Sequence, residues 1–179
     1  MKYVMLCVTL SLLMFMPYQA HAASAQEIES KVNQALSELY QHSAAGKELA
    51  TNAAGILVFP EVIKAGIGIG GEYGEGALRV GGKTVSYYNV ASASIGFQLG
   101  AQIKAEVLLF MTADALAKFR HSDGWEAGVD GSVALATLGA GGTLDSNTLQ
   151  QPIIGFIFSN KGLMYNLSIE GSKITKIQR

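Results

Sequence analysis

The spacing of hydrophobic residues changes twice along the chain. Residues 4–16 form one continuous apolar run behind Lys2. Ile28, Val32, Ala35, Leu36 and Leu39 then recur at helical spacing and form an amphipathic stripe. From Gly55 onward the period is 2, the signature of strands.

The helical part has clear punctuation. Ser24 followed by Glu27 is a capping box, with Ser24 as N-cap and Glu27 reaching back, so the first helix runs to about His42. A second helix is predicted to begin after Ser43 and to end at Gly55 in the C′ position.

In the strand part, a short apolar run starts at Gly55 and is expected to break at Pro60. A ladder follows in which Gly66, Gly68 and Gly70 alternate with Ile67 and Ile69. As a strand, it puts isoleucines on one face and bare backbone on the other. Glycine weakens a strand, so this alternation points to close approach by another element or a ligand. Gly81-Gly82 is a two-residue turn joining residues 76–80 to 83–90.

Further on, Ile95, Phe97, Leu99, Ala101 and Ile103 share one face of a strand over residues 94–103. Residues 107–111 are apolar on both faces, as in a central strand. Thr112 caps a short helix to about Arg120, with Asp114 in its first turn. Residues 125–137 read as another strand and 139–142 as a loop. A three-strand meander over 153–158, 163–170 and 173–177 closes the chain. About eight strands result. The fold class is α+β: N-terminal helices packed on a large, mostly antiparallel, glycine-rich sheet that curls toward a barrel, in a single domain.

Residues 1–22 are set apart from this domain. Lys2, the apolar run and Ala20-His21-Ala22 read as a signal peptide cleaved after Ala22, leaving residues 23–179 for the periplasm, possible contact with a membrane included. Cys7, the single cysteine, falls inside that leader, so the mature protein has no disulfide, thiolate nucleophile or cysteine metal ligand. Without Lys2 the charge is −2, which argues against a nucleic-acid partner. Of 21 glycines, 19 follow residue 60, in keeping with helices first and strands and tight turns after.

Several catalytic patterns fail on context. Gly66-x-Gly68-x-x-Gly71 spells a dinucleotide fingerprint, but Glu72-Tyr-Gly-Glu-Gly76 is a poor helix start, and the fingerprint needs a helix there. Gly82-Lys83-Thr84 resembles the end of a phosphate loop, yet Ala77 stands where its first glycine belongs. His42 and His121 are the mature histidines; a triad with Ser92 or Ser94 and Asp123 can be written down, as any chain of this size permits, and two histidines without a cysteine make a thin metal site. Asn166-Leu-Ser168 is a sequon in mid-strand. The expectation is a protein without catalytic residues, metal or cofactor.

Three ordered motifs carry a family resemblance. Ala54-Gly-Ile-Leu-Val-Phe-Pro60, Lys64-Ala-Gly-Ile-Gly-Ile-Gly-Gly71 and Tyr73-Gly-Glu-Gly76 resemble the opening of the SYLF domain. Ser94-Ile-Gly-Phe-Gln-Leu-Gly-Ala-Gln102 looks like its middle motif. Lys161-Gly-Leu-Met-Tyr-Asn-Leu-Ser-Ile-Glu-Gly-Ser172 is similar to its closing motif. The resemblance spans about residues 30–175 and implies a SYLF-like domain over 23–179.

That family is known for lipid binding, with phosphoinositide binding in eukaryotic members, actin binding in some yeast members, and exported bacterial members. The resemblance therefore implies a non-enzymatic module that binds phospholipid or a membrane surface. A protein–protein or structural module of the cell envelope, with an envelope protein as partner, is the alternative. Actin is not expected as a partner. Val85-Ser-Tyr-Tyr88 stands where many eukaryotic members have Trp-Ser-x-Pro, and a leader stands where they have an amphipathic segment. The candidate lipid-binding residues are Ile67, Ile69, Phe97 and Leu99 for the acyl chains. Lys64, Arg79 and Lys83 are the candidates for the headgroup, each able to add about 1 kcal/mol near an anionic surface.

Overall fold

The computed structural model describes residues 23–136, 144–159, 162–163, 169 and 171–179; for 67–69, 94–101 and 162–163 it describes backbone alone. The leader, the loop at 139–142, the sequon and most of the predicted strand 163–170 lie outside the described residues.

The first helix, α1, spans Ala25–His42, and its buried residues are Ile28, Val32, Ala35, Leu36 and Leu39, the stripe read from spacing. Ser24 Oγ accepts a hydrogen bond from Glu27 N at 3.2 Å. The Glu27 carboxylate does not reach back; it pairs with Lys31 at 2.9 Å, one helical turn on.

Ser43 Oγ caps the second helix, α2 (Ala44–Asn52), by accepting from Gly46 N at 2.9 Å. This helix ends at an extended Ala53, so Gly55 is not its C′ residue. Gly55 instead opens the first strand, where an added Cβ would lie 2.8 Å from Leu116 Cδ1. Its lack of a side chain serves packing rather than helix termination.

Strands β1 (Gly55–Val80) and β2 (Lys83–Phe110) form one very long antiparallel hairpin, in register from Gly55↔Phe110 to Val80↔Lys83. Gly81 and Gly82 have φ of 58° and 78°, both positive, as the two-residue turn requires. Pro60 does not break the strand. The ladder absorbs its missing N–H as a register shift between Phe59 and Val62.

The hairpin is bent through its middle. Lys64 and Glu72 lie eight positions apart on β1, roughly 26 Å if extended, yet Lys64 Nζ is 2.9 Å from Glu72 Oε1. Gly66, Gly68, Gly70 and Gly71 and a second register shift, between Gly66 and Gly68, occupy the bend. The two halves then meet at Gly74 and Gly76. A Cβ on Gly74 would lie 2.7 Å from the Glu61 carbonyl oxygen, and one on Gly76 would run into the Val58 carbonyl. Close backbone approach is thus made at Gly74 and Gly76, beyond the ladder residues for which it is expected.

The free edge of β2 is shared. Tyr87–Ala91 pair with β7 (Lys173–Ile177) and Ala105–Phe110 with β5 (Ile153–Ser159). Strand β3 (Trp125–Glu126) extends the sheet beyond β7. Strand β4 (Ala134–Leu135) lies parallel to β5, and β6 (Gly162–Leu163) antiparallel to it. Helix α3 (Ala113–His121) follows its Thr112 cap as expected, and a short α4 (Ser146–Leu149) follows Asp145.

Two expectations need correction. Residues 125–136 are not one strand: Gly128, at φ 87°, turns the chain between the short β3 and β4, and Asp130 accepts from Glu126 N at 2.7 Å. The C-terminal strands do not form a simple meander either. Among the described residues, β5 and β6 pair antiparallel as a meander requires, but β7 pairs with β2 and β3.

Both faces of the sheet are covered over much of its area. Leu57, Phe59, Leu78, Leu108 and Phe110 bury inward with Phe119 and Trp125, while Val58, Ala77, Val107, Leu109 and Phe156 bury outward with the α1 stripe. This is why residues 107–110 are apolar throughout. The architecture is a single α+β domain with its helices on the N-terminal side of a mostly antiparallel, curled half-barrel sheet.

Candidate functional site

The helical cover stops short of the bend. Ala105 is buried in the layer that α1 packs against. Two residues along β2, on the same face, Ile103 is 61% exposed. Its cross-strand partner Ile63 is 51% exposed. Beyond this pair the ladder continues through Ala65↔Ala101 and Gly66↔Gly100 into the bend. Residues 65–71 and 91–103 contain no Asp, Glu, Lys or Arg. The bend and the strand ends leading into it are therefore a charge-free, glycine-rich segment with an uncovered apolar pair at its root.

Ile63 also belongs to a groove of about 490 Å³ between the start of α1 and the two halves of β1. Ala23, Ile28, Pro60 and Tyr73 supply its apolar lining; Glu27, Lys31, Glu61 and Glu75 are polar. Lys31 is held between Glu27 and Glu61, at 2.9 and 2.8 Å. Glu75 takes the Arg179 guanidinium and the Tyr73 hydroxyl. The charged groups of this groove are thus already engaged, three with one another and Glu75 with Arg179.

On the inner side of the bend lies a linear cluster of four charges. Lys64 Nζ is 2.9 Å from Glu72 Oε1, Lys104 Nζ is 2.8 Å from Glu72 Oε2, and Lys104 Nζ is 2.9 Å from Glu106 Oε1. Lys104 and Glu106 take this side because strand alternation puts them in line with buried Leu108 and Phe110. The Glu106 contact is at ion-pair distance but off the hydrogen-bond direction.

Burial pushes the Glu106 carboxyl up, with the Lys104 charge offsetting part of the effect. At Glu72 burial acts the same way but is outweighed by hydrogen bonds from Lys104 and Lys64, which hold it below the usual carboxylate value. Burial would lower the Lys104 ammonium, and the Glu106 charge with the Glu72 hydrogen bond carries it above the usual lysine value instead.

The candidate headgroup residues occupy three different settings. Lys64 is the outer member of the cluster, its side chain 18% exposed. Arg79 reaches across to α1, with Nη2 2.8 Å from Glu29 Oε2, and the Tyr87 hydroxyl donates to Glu29 Oε1 at 3.2 Å. Lys83 is exposed at the hairpin turn. The three do not converge on one point. For the candidate acyl-chain residues the description stops at the backbone: Ile69 pairs with Ile95, and Ile67, Phe97 and Leu99 lie in the same bent segment.

Sequence reasoning passed over Lys104, Glu106 and Glu72, and over Ile63 with Ile103 as a pair. One signal was available. Lys104 and Glu106 stand two apart in a strand whose neighbours are apolar, which puts both charges on one face.

No group of three or more His, Cys, Asp and Glu side chains is arranged to hold a metal among the described residues. His121 Nδ1 contacts the Ala117 carbonyl at 2.7 Å on an exposed helix end. No helix among the described residues is long and apolar enough to cross a membrane.

Residues 91–179 match a family model named Ysc84, described as Las17-binding protein actin regulator, the family of the SYLF domain. The matched stretch contains the middle and closing motifs quoted above and begins after the opening one. No curated protein matches the chain.

Proposed function

Because this chain belongs to the SYLF domain family, we propose that it is a phospholipid-binding, membrane-associating module without catalytic chemistry. The observation that carries this reading is the uncovered Ile63–Ile103 pair at the root of the charge-free bend. Seating such a face in the apolar layer of a bilayer removes the pair from water at about 25 cal/mol per Å². The neighbouring segment carries no ionised side chain that would resist entry.

The leader-like residues 1–22 support export, with cleavage after Ala22 and a place in the periplasm. N-terminal sequencing of the protein recovered from the cell envelope tests this, and a first residue of Ala23 is the expected result.

The lipid reading is tested by flotation of the purified protein with neutral vesicles and with vesicles containing phosphatidylglycerol or cardiolipin, at low and high salt. Association with both kinds is expected, and the part due to the apolar contact, which is all of it on neutral vesicles, should be insensitive to salt. Failure to float with any vesicle would sink the reading and promote the envelope-protein partner.

A further inference from the structure

Tyr73 is a large side chain that the lipid contact described so far leaves unused. It is 49% exposed, close to the 51% of Ile63, and the two line one groove although the bend lies between them in the chain.

The two arms of β1 present the same order of side chains to this groove. On the first arm Glu61 comes before Ile63 on the way into the bend; on the second, Tyr73 comes before Glu75 on the way out. The arms are held at one height, because the Glu61 carbonyl oxygen lies 2.7 Å from where a Cβ on Gly74 would be. Each carboxylate is on the side away from the bend and holds a cation, Lys31 for Glu61 and Arg179 for Glu75. Each large apolar group is on the side toward the bend, where residues 65–71 carry no charge. Both arms therefore change from paired charge to apolar surface at the same level.

Tyrosine suits such a boundary, since its ring is apolar and its hydroxyl needs a polar partner. Here the hydroxyl donates to Glu75 Oε1 at 2.8 Å, on the charged side. The edge of β1 limits the depth. Among the described residues β1 pairs with β2 alone, and hydrocarbon does not accept unpaired strand backbone. The face can lie at the boundary between headgroups and acyl chains but not pass far beyond it.

We propose that Tyr73 is a second membrane anchor, with its ring at that boundary on the same side as Ile63 and its hydroxyl kept on Glu75. This rests on the membrane reading and adds to it a docking orientation. The bend faces the bilayer, and the Glu61–Lys31 and Glu75–Arg179 pairs stay on the water side.

The test combines flotation on phosphatidylcholine–phosphatidylglycerol vesicles with fluorescence quenching by brominated phosphatidylcholine. Tyr73→Ala should lower partition about fivefold, as expected for roughly half of a large apolar side chain leaving water, with the urea midpoint little changed. Tyr73→Phe keeps the ring and should keep most of the partition. Tyr73→Trp adds a reporter to a protein whose single tryptophan, Trp125, is 2% exposed. Its emission on vesicles should be quenched more by bromines near the headgroup end of the acyl chain than by bromines at the chain end, while wild-type emission is quenched by neither. If Tyr73→Ala does not fold, the quenching of Tyr73→Trp decides alone. Unchanged partition of Tyr73→Ala, or Tyr73→Trp emission that bromine does not quench, overturns the anchor and leaves the Ile63–Ile103 contact standing. Stronger quenching from the chain end overturns the boundary position. Absence of wild-type binding overturns the anchor and the membrane reading together.

Discussion

Lys104 is the residue on which the interior of the bend depends. It neutralises Glu72 and Glu106 at once from a site almost without water. Lys104→Met would leave Glu106 buried beside another carboxylate, and the expected loss is about 3–5 kcal/mol, read from urea unfolding. The same cluster sets part of the acid response. Glu72 and Glu29 are held below the ordinary 4.5, so their contribution is present above that value and lost as pH falls through it. Glu106 is raised, so the folded state takes up its proton first and gains stability as pH falls through the raised value. The two effects oppose each other. Glu106→Gln should therefore steepen the fall in urea midpoint between pH 7 and pH 3 relative to its own value at pH 7, whereas Glu72→Gln should flatten it. An unchanged slope in both variants would mean that the cluster does not titrate with folding.

At the scale of elements, the bent hairpin decides most of the fold, and the sequence shows its parts better than their arrangement. The α1 stripe, the Ser24, Ser43 and Thr112 caps and the Gly81-Gly82 turn were all legible, because each is a local pattern that meets a local need. The misread places depended on contacts far along the chain. Gly55 has no side chain because Leu116 packs there, and Pro60 is tolerated because β1 bulges there against β2. Strand β7 finds its partner in β2, more than eighty positions upstream. Of the candidate site, Lys64 was singled out for its charge, but the carboxylate that holds it lies across a bend that periodicity does not reveal. Gly76 gives a test of that bend. Gly76→Ala drives a Cβ into the Val58 carbonyl, where backbone rather than a flexible side chain must give way. It should cost about 2–3 kcal/mol as an overpacking defect. Gly81→Ala, at positive φ but in open space, should cost only about 1–2 kcal/mol. Equal costs in chemical denaturation would argue against close packing of the two hairpin halves.

For the whole molecule, the question is why a domain with two covered faces leaves one apolar pair bare. Leu57, Val58, Phe59, Val62 and residues 104–110 are buried, the outward ones beneath α1 and the inward ones against the rest of the sheet, Phe119 and Trp125. At positions 63 and 103, beside the start of α1, the two isoleucines are more than half exposed. Had the pair served the stability of the isolated protein, its exposure would fall with that of its neighbours Val62 and Ala105, both buried. Replacing exposed residues normally changes stability by no more than about 0.5 kcal/mol. The double substitution Ile63→Asn/Ile103→Asn should therefore leave the unfolding midpoint within a degree or two of wild type. Vesicle partition should nevertheless fall at least tenfold, since two half-exposed isoleucines would no longer leave water on docking. Matching outcomes in the two measurements would contradict this division of labour: a variant that loses both stability and binding would make the pair part of the core. One that keeps both would move the lipid contact elsewhere on the sheet.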